Sequence, residues 1–559
     1  MVKRWFSFFG QEIRGLHEAA YLLAVFALLS QILALVRDKL LAYSFGADRA
    51  LDVYYASFRI PDLLFVSIGS LVSASVLLPY FIERFEKGNN HGRKFADSIF
   101  TVFFVVIILA SVIIFFLAPW LVPKIIPGFA NDPALPDLIL SLRIMLFSPF
   151  FLGLSNLFSS LTQMRHRFLV YAMSPVVYNA GIIVGVIFGY PAFGISGLAI
   201  GVALGAFLHV AIQVPFIIYE GVMPRFTWRI NWSDMQHVVF STIPRTLTLS
   251  ANQLASFVLI SLASLMSAGS ISVFNFAFNI QSVPLSLIGA SYSSAVFPTL
   301  SHLLFKGNTA EFKKKMITSA QHIIFWSVPI TVMFVVLRAQ IVRTILGAGA
   351  FDWSDTRLTA AALAIFVVSV VGQSLVLLFI RSFYANGKTT VPLIINAISA
   401  LIIIVSGFVL VKVFATYPVF QYFIEYLLKV QGQTGTAVLV LPLAFAFGVI
   451  INTIMHWVIY ERSFPGFSRP VLETLYHSFA ASVIMGYVTY LSLRLFAAVF
   501  PLTKVWGIFL QGLSAGFIGL VVLICILKIL KNKELEAVSD TLHRKIWKVQ
   551  VPPAEVEHI

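Results

Sequence analysis

Fourteen apolar runs, each bounded by Gly, Pro or charge, follow one another along a chain of 559 residues. With edges blurred by a few residues they cover 19–43, 52–82, 96–122, 137–163, 168–190, 195–219, 236–266, 271–301, 316–338, 356–384, 390–413, 436–460, 472–498 and 504–530. Each is long enough to carry ~20 helical residues across the hydrocarbon core of a bilayer. No water-soluble fold can hide so many: 59% of the chain is hydrophobic and 11% charged, where a soluble protein carries about a quarter. A soluble enzyme, a disordered chain and a fibrous repeat are thereby excluded. The runs lack the ten-residue alternation of barrel strands, and lipid leaves every backbone N–H and C=O to be satisfied within its own segment, so they read as helices. The expected fold is an all-α polytopic membrane protein with about fourteen transmembrane helices.

The first run exceeds the core of a signal peptide and no small-residue cleavage site follows it, so it reads as an uncleaved span. Cys525, the single cysteine, stands in an apolar run and supports neither a disulfide framework nor a cysteine zinc cluster. The net charge of +15 is explained by placement. Of 39 basic residues, 25 fall on the side of the amino terminus, among them Arg84, Lys87, Arg93, Lys94, Arg165, Arg167, Lys306 and Lys313 to Lys315. Nine fall on the other side, and Arg37, Lys39, Arg59, Arg143 and Arg245 lie within spans. This imbalance places both termini in the cytoplasm and needs no nucleic-acid partner.

An internal repeat organises the runs. FRIPDLLFVSIGSLVSASV from Phe58 returns as FNIQSVPLSLIGASYSSAV from Phe278, keeping Ile60/Ile280, Ile68/Ile288, Gly69/Gly289, Ser73/Ser293 and Val76/Val296 in register at an offset of 220. A second echo pairs Pro175 and Asn179 with Pro392 and Asn396 at offset 217. Six helices separate the copies, so the halves run parallel, a transporter plan. The expected division is an N-terminal lobe of helices 1–6 over 1–230 and a C-terminal lobe of helices 7–12 over 231–465. Two extra helices over 466–530 and a cytoplasmic tail over 531–559 complete it.

Charge inside a span costs several kcal/mol unless it meets water or a partner, so such residues mark an interior. At 100° per residue, Asp52, Arg59, Asp62, Ser70 and Ser73 share one stripe of the second run. The matching stripe of the eighth run carries Ser272, Asn279, Ser282 and Ser293. The first run adds Gln31, Arg37 and Asp38; the seventh adds Arg245, Thr248, Asn252 and Ser256. Two readings stand for the charges: Arg37, Asp38, Asp52 and Arg59 pair with one another and pin the first helix to the second, or Arg59, one turn further in, contacts an anion. Arg245 follows Pro244, where freed carbonyls could hold it, or it snorkels to the interface. Arg143 reads as an interfacial snorkeller.

Catalytic patterns fail. Gly387-Lys388-Thr389 ends like a phosphate loop, but Ser382 stands where its first Gly is needed. His17-Glu18 lacks a second His four residues on, and His209, His322, His456 and His477 sit on separate runs. No enzyme activity, metal or cofactor is expected.

Around the charged residues the chain resembles the MurJ/MviN family of lipid II flippases, within the multidrug/oligosaccharidyl-lipid/polysaccharide exporter superfamily. SQILALVRDKLLAYSFGADRALDVYYASFRIPDLL from Ser30 is similar to the family's opening signature. GAGAFDWSDTRLTAAAL from Gly347 and RSFYANGKTTVPLIINAIS from Arg381 resemble its second half. The resemblance implies a lipid-linked oligosaccharide flippase working by alternating access, with lipid II as the substrate, an undecaprenyl-type lipid-linked glycan and membrane lipids as partners, and no named coupling ion. It carries substrate-binding roles onto Arg37, Asp38, Asp52 and Arg59. Three family arginines, understood to line the cavity, are Gln31, Phe65 and Asn279 here; Asn279 keeps the place in the site, and Arg245 is positioned to supply a charge to the second half. Moving about two negative charges outward through ~100 mV releases about 4.6 kcal/mol, enough to drive flipping without ATP. Two other functions fit the same pattern: a multidrug or other polysaccharide-lipid exporter, and a non-transporting scaffold for envelope synthesis.

Overall fold

The computed structural model describes residues 16–165 and 167–536; within them, the side chains of residues 16–21, Ser70, Ala74, Ser75, Ser241, Pro244 and Arg245 are not described. All regular structure in this part is helical. Fourteen helical segments follow the fourteen apolar runs. They are α1 (Leu16–Phe45), a broken α2 (Arg49–Ser57, Arg59–Ile68, Gly69–Val72 and Ala74–Glu86) and α3 (Asn89–Ile125). Then come α4 (Leu135–Met164), α5 (Phe168–Phe193), α6 (Ile195–Tyr219), α7 (Trp232–Ser264) and α8 (Ser270–Phe305). The series ends with α9 (Thr309–Val336), α10 (Trp353–Val368 and Val370–Ala385), α11 (Thr390–Thr416), α12 (Thr436–Ser463), α13 (Ser468–Ala497) and α14 (Val505–Ile529).

Among the described residues, eleven helices are long and apolar enough to cross a membrane, and twelve if the two parts of α10, bent by 41°, count as one span. The other two expected spans fall on α1, which carries Arg37, Asp38 and Lys39, and on α2. The second helix is not the continuous rod that a single stripe from Asp52 to Ser73 requires. Pro61 sits in the first turn of its second piece, where the missing N–H costs least. Past Ile68 the chain tightens to a 3-10 turn, and Ser73 is extended with ψ 145°. The stripe therefore holds only from Asp52 to Ile68. The eighth helix distorts at the equivalent level, widening to a π-helix over Leu285–Ala290 just after Pro284. A second wide turn, Gly185–Gly189, lies in α5.

Contacts divide the chain into two compact units. One comprises Met1–Ile280, Ile345–Phe366 and Lys388–Asn452; the other comprises Gln281–Thr344, Val367–Gly387 and Thr453–Ile559. These cuts fall elsewhere than the repeat boundaries, because α8, α10 and α12 each begin in the first unit and end in the second.

In the first unit, Phe81, Phe95, Phe103, Leu157, Phe158 and Leu161 build a buried cluster between α2, α3 and α4. Beside it α5 and α6 meet along a seam of glycines. A Cβ on Gly181 would stand 2.4 Å from Gly205 Cα, one on Gly185 2.4 Å from Gly201 Cα, and one on Gly189 2.6 Å from the Gly197 carbonyl oxygen. Backbones this close gain dispersion contacts that replace the hydrophobic drive absent in lipid. Arg143 also finds a structural place. Pro119 has no N–H to give the Phe115 carbonyl four residues earlier, and Arg143 Nε donates to that carbonyl at 3.0 Å.

In the second unit α9, α13 and α14 pack around Phe325, Met485 and Leu523, with Gly486 admitting Val332 of α9. The chain after α14 folds back: Thr474 Oγ1 donates to Glu534 at 2.8 Å, and Leu535 packs on the same cluster. The start of the expected solvated tail is thus docked; its remainder, from residue 537, lies outside the described residues.

The glycine seam gives a stability test. Gly201→Val forces a branched side chain into backbone and should cost about 3 kcal/mol, seen as a lower thermal midpoint in detergent. Ile200→Val, on the exposed side of the same helix, should stay within about 0.5 kcal/mol. Equal midpoints for the two variants would contradict the seam.

Candidate functional site

The α1–α2 turn, the α3–α4 loop, the α7–α8 loop and the segment before α10 come together at one end of the first unit. Their backbones interlock. Gly269 has φ +85°, and a Cβ there would stand 2.0 Å from the Ala47 carbonyl oxygen; Gly46, at φ +64°, would meet the Ala350 carbonyl oxygen at 2.8 Å. Glycine is the residue that takes positive φ and leaves room for a second backbone at once. Across the same junction Ala350 N–H donates to the Tyr43 carbonyl at 2.9 Å, and Ala47 N–H to Asp355 at 3.1 Å. Gly128 N–H donates to Ser264 Oγ at 3.1 Å. Arg49 binds Asp132 at 2.7 Å and lies 3.7 Å above the Phe129 ring. Although partial burial opposes it, the Ala134 N–H and Arg49 together hold the Asp132 carboxyl below its ordinary range.

Beneath this closure α8 presents a ladder of polar groups. Ser272, Asn275 and Asn279 follow i, i+3, i+7 spacing, so they share one face, with Asn279 ~10 Å deeper than Ser272. Each rung meets a residue from the first two helices. Asp52, 1% exposed, accepts Gly269 N–H at 2.8 Å, Ser272 N–H at 2.8 Å and Ser272 Oγ at 2.7 Å. The carboxylate thus caps a helix to which it does not belong, with its charge at the positive end of that helix. Arg59, 8% exposed, donates through Nη2 to Asn275 Oδ1 at 2.5 Å, while its Nε is buried with no hydrogen-bond partner. Asn279 donates to Asp38 at 3.0 Å; Asp38 also binds Arg37 at 2.8 Å, and Arg37 reaches Asn179 of α5 at 3.1 Å.

Ser272 lies 220 positions after Asp52, at its own repeat equivalent. A residue touches its equivalent only near the axis relating two copies, so the ladder marks where the repeats meet. Of the pairings weighed from the sequence among Arg37, Asp38, Asp52 and Arg59, only Arg37 with Asp38 forms. The other contacts run to amides, a hydroxyl and backbone N–H groups of the second repeat and of α5. Asp62 stands one turn beyond Arg59. Arg245 lies on α7, and its side chain is outside the described residues.

The family model described as lipid II flippase MurJ matches residues 41–510. The chain belongs to the MurJ family. That family comprises multi-pass transporters of the bacterial inner membrane, not enzymes. The probable lipid II flippase MurJ of Buchnera aphidicola subsp. Acyrthosiphon pisum is 28% identical over 378 residues, covering 66% of this chain and 73% of that one. The lipid II flippase MurJ of Burkholderia cenocepacia is 25% identical over 397 residues, covering 70% and 77%. A solved lipid II flippase MurJ in an inward closed conformation superposes with a TM-score of 0.71 at 22% identity, over 94% of this chain and all of that one. An inward-facing multidrug resistance transporter of the MATE family, in the MOP superfamily, gives 0.63 at 13% identity, over 79% and 96%. At these identities the two structures show a shared fold.

In this MurJ-family chain the ladder contains residues that sequence reasoning passed over. Asn275 has the helical spacing that links Ser272 to Asn279, a signal present in the sequence. Asn179 appeared only as an echo of the repeat. Asp132 and Gly269 gave no local signal, and Asp355 and Gly46 lay in the quoted segments without a legible role, because their partners are distant in sequence: 308 positions separate Asp355 from Ala47, and 83 separate Asp132 from Arg49.

Asp52 supplies the test of the closure. Bonds to a charged acceptor contribute about 1.5–3 kcal/mol each, so Asp52→Ala should shift the junction toward open by roughly tenfold or more. In a Cys525→Ala background, a cysteine at the buried Ser270 position should then react with an impermeant maleimide at least several times faster than when Asp52 is intact. An unchanged rate would contradict the capping role.

Proposed function

We propose that this chain carries lipid II from the inner to the outer leaflet by alternating access, with Arg37 and Arg59 receiving the pyrophosphate of the headgroup while the polyprenyl tail stays in lipid. Both termini are taken as cytoplasmic, which puts the interlocked junction at the outer face. The observation that carries the reading is the stacking order: two guanidinium groups lie directly beneath a closure made of breakable polar contacts. Arg59 already holds a buried N–H donor without a partner, and a phosphate oxygen is the acceptor it lacks. Charge-assisted bonds to phosphate are of the same size as the rungs they replace, about 1.5–3 kcal/mol each. Substrate binding can therefore offset the loss of the Arg59–Asn275 and Asp38–Asn279 contacts, and so link loading to opening.

Asn279 supplies no charge, so the first repeat provides the cationic groups of the ladder. Asp38 and Asp52 serve the closed state, Asp38 by orienting Arg37 and Asp52 by capping α8. Outward movement of about two negative charges through ~100 mV would supply about 4.6 kcal/mol toward the transfer.

Complementation is the direct test. Expressed in a cell depleted of its own lipid II flippase, the wild-type chain should restore growth. Arg59→Ala should abolish rescue at equal membrane abundance, with Arg59→Lys retaining part of it. A wild-type chain that reaches the membrane and fails to rescue would overturn the proposal.

A further inference from the structure

Between α11 and α12 the chain forms an eleven-residue helix, Pro418–Leu428, whose amphipathicity is reversed relative to water. Val419, Tyr422, Phe423, Tyr426 and Leu427 follow i, i+3, i+4, i+7, i+8 spacing, which is the apolar face of an amphipathic helix. That face points outward, with the five residues between 57% and 82% exposed. The polar residues turn inward instead. Gln421 donates to Glu425 at 2.8 Å, Glu425 accepts Thr436 Oγ1 at 2.6 Å, and Ile424 is buried beside them. A face of this kind is stable only against something apolar.

Two observations identify the occupant as lipid. The exposed apolar side of α11, through Leu401, Val405, Phe408 and Val409, ends at the exposed Lys412 shortly before this helix, which is where a lysine reaches from acyl chains toward headgroups. The exposed rings include two stacked tyrosines, Tyr422 and Tyr426, with centroids 6.1 Å apart, and tyrosine favours the boundary between acyl chains and headgroups. The helix is also tied to the closure. Just beyond it, the Lys429 carbonyl accepts Arg357 Nη2 at 2.8 Å and Gln433 accepts the Ser354 hydroxyl. Both donors stand in the first turns of α10, beside the Asp355 that accepts Ala47 N–H.

We propose that Pro418–Leu428 is a membrane-surface helix, seated in the outer-leaflet boundary between acyl chains and headgroups, that holds the first turns of α10 at that level and so lets lipid contact favour the closed junction. Its second clause rests on reading that junction as the outer gate. Its first clause is independent of substrate.

The test uses the full-length Cys525→Ala protein in vesicles of phosphatidylethanolamine and phosphatidylglycerol, with a fluorophore on Tyr422→Cys or Tyr426→Cys. Acyl-chain nitroxides should quench both labels strongly and aqueous iodide only weakly. Strong iodide quenching would overturn the lipid seat, as would shielding from both quenchers, which would assign the face to a protein contact. A second measurement takes Tyr422→Glu with Phe423→Glu and reads maleimide labelling of a cysteine at Ser270. A severalfold rise, with an unchanged elution profile in detergent, supports coupling to the junction. An unchanged rate overturns the coupling, and neither measurement depends on which molecule is transported.

Discussion

A carboxylate buried in a membrane protein must find donors or lose its charge. Asp52 meets that requirement with the first N–H groups of a helix from the other repeat. This single contact determines much of what surrounds it. It fixes the depth of α8 against α2, and with it the alignment of Asn275 with Arg59 and of Asn279 with Asp38. It also requires the α7–α8 turn to approach the α1–α2 turn closely enough that Gly269 has no room for a side chain. The polar ladder, the glycine interlock and the burial of Arg59 are consequences of one helix terminus being capped from outside its own chain segment.

Contacts of this kind suit a machine that must open. An apolar seam such as that between α5 and α6 is indifferent to a charged visitor. A ladder of hydrogen bonds exchanges partners with an anion at little net cost, since each rung broken can be replaced by a bond of similar strength. The two kinds of packing divide the first unit accordingly: glycine and aromatic contacts hold its helices as a body, while polar contacts close one of its ends. Arg143 belongs to the former group, because it satisfies a carbonyl that Pro119 leaves free.

The fold was legible to the extent that single residues carry its determinants. Apolar run length indicated the all-helical fold, since lipid leaves the backbone no alternative; among the described residues eleven or twelve helices are long and apolar enough to span. The recurrence of Gly69 and Gly289 located the level at which both α2 and α8 deform. Helical phase failed where the helix itself failed: past Ile68 the 3-10 turn and extended Ser73 remove the geometry on which a stripe depends. At the site, the residues able to bind were visible by charge, but their partners were not. Asp52 selects backbone N–H groups, which no sequence signal distinguishes, and Asp355 reaches Ala47 across 308 positions. The inward-turned Glu425 shows the same limit, because its side is set by Thr436, eleven positions away.

If the proposed cycle holds, the interlocked junction opens when the protein binds lipid II. Pulsed electron resonance distances between labels at Asn131 and Ala268, exposed positions on the two loops that flank the ladder, measure this directly. Without substrate one narrow, short distance is expected, and with lipid II added in vesicles a second, longer population at its expense. A single short distance unchanged by lipid II would contradict it.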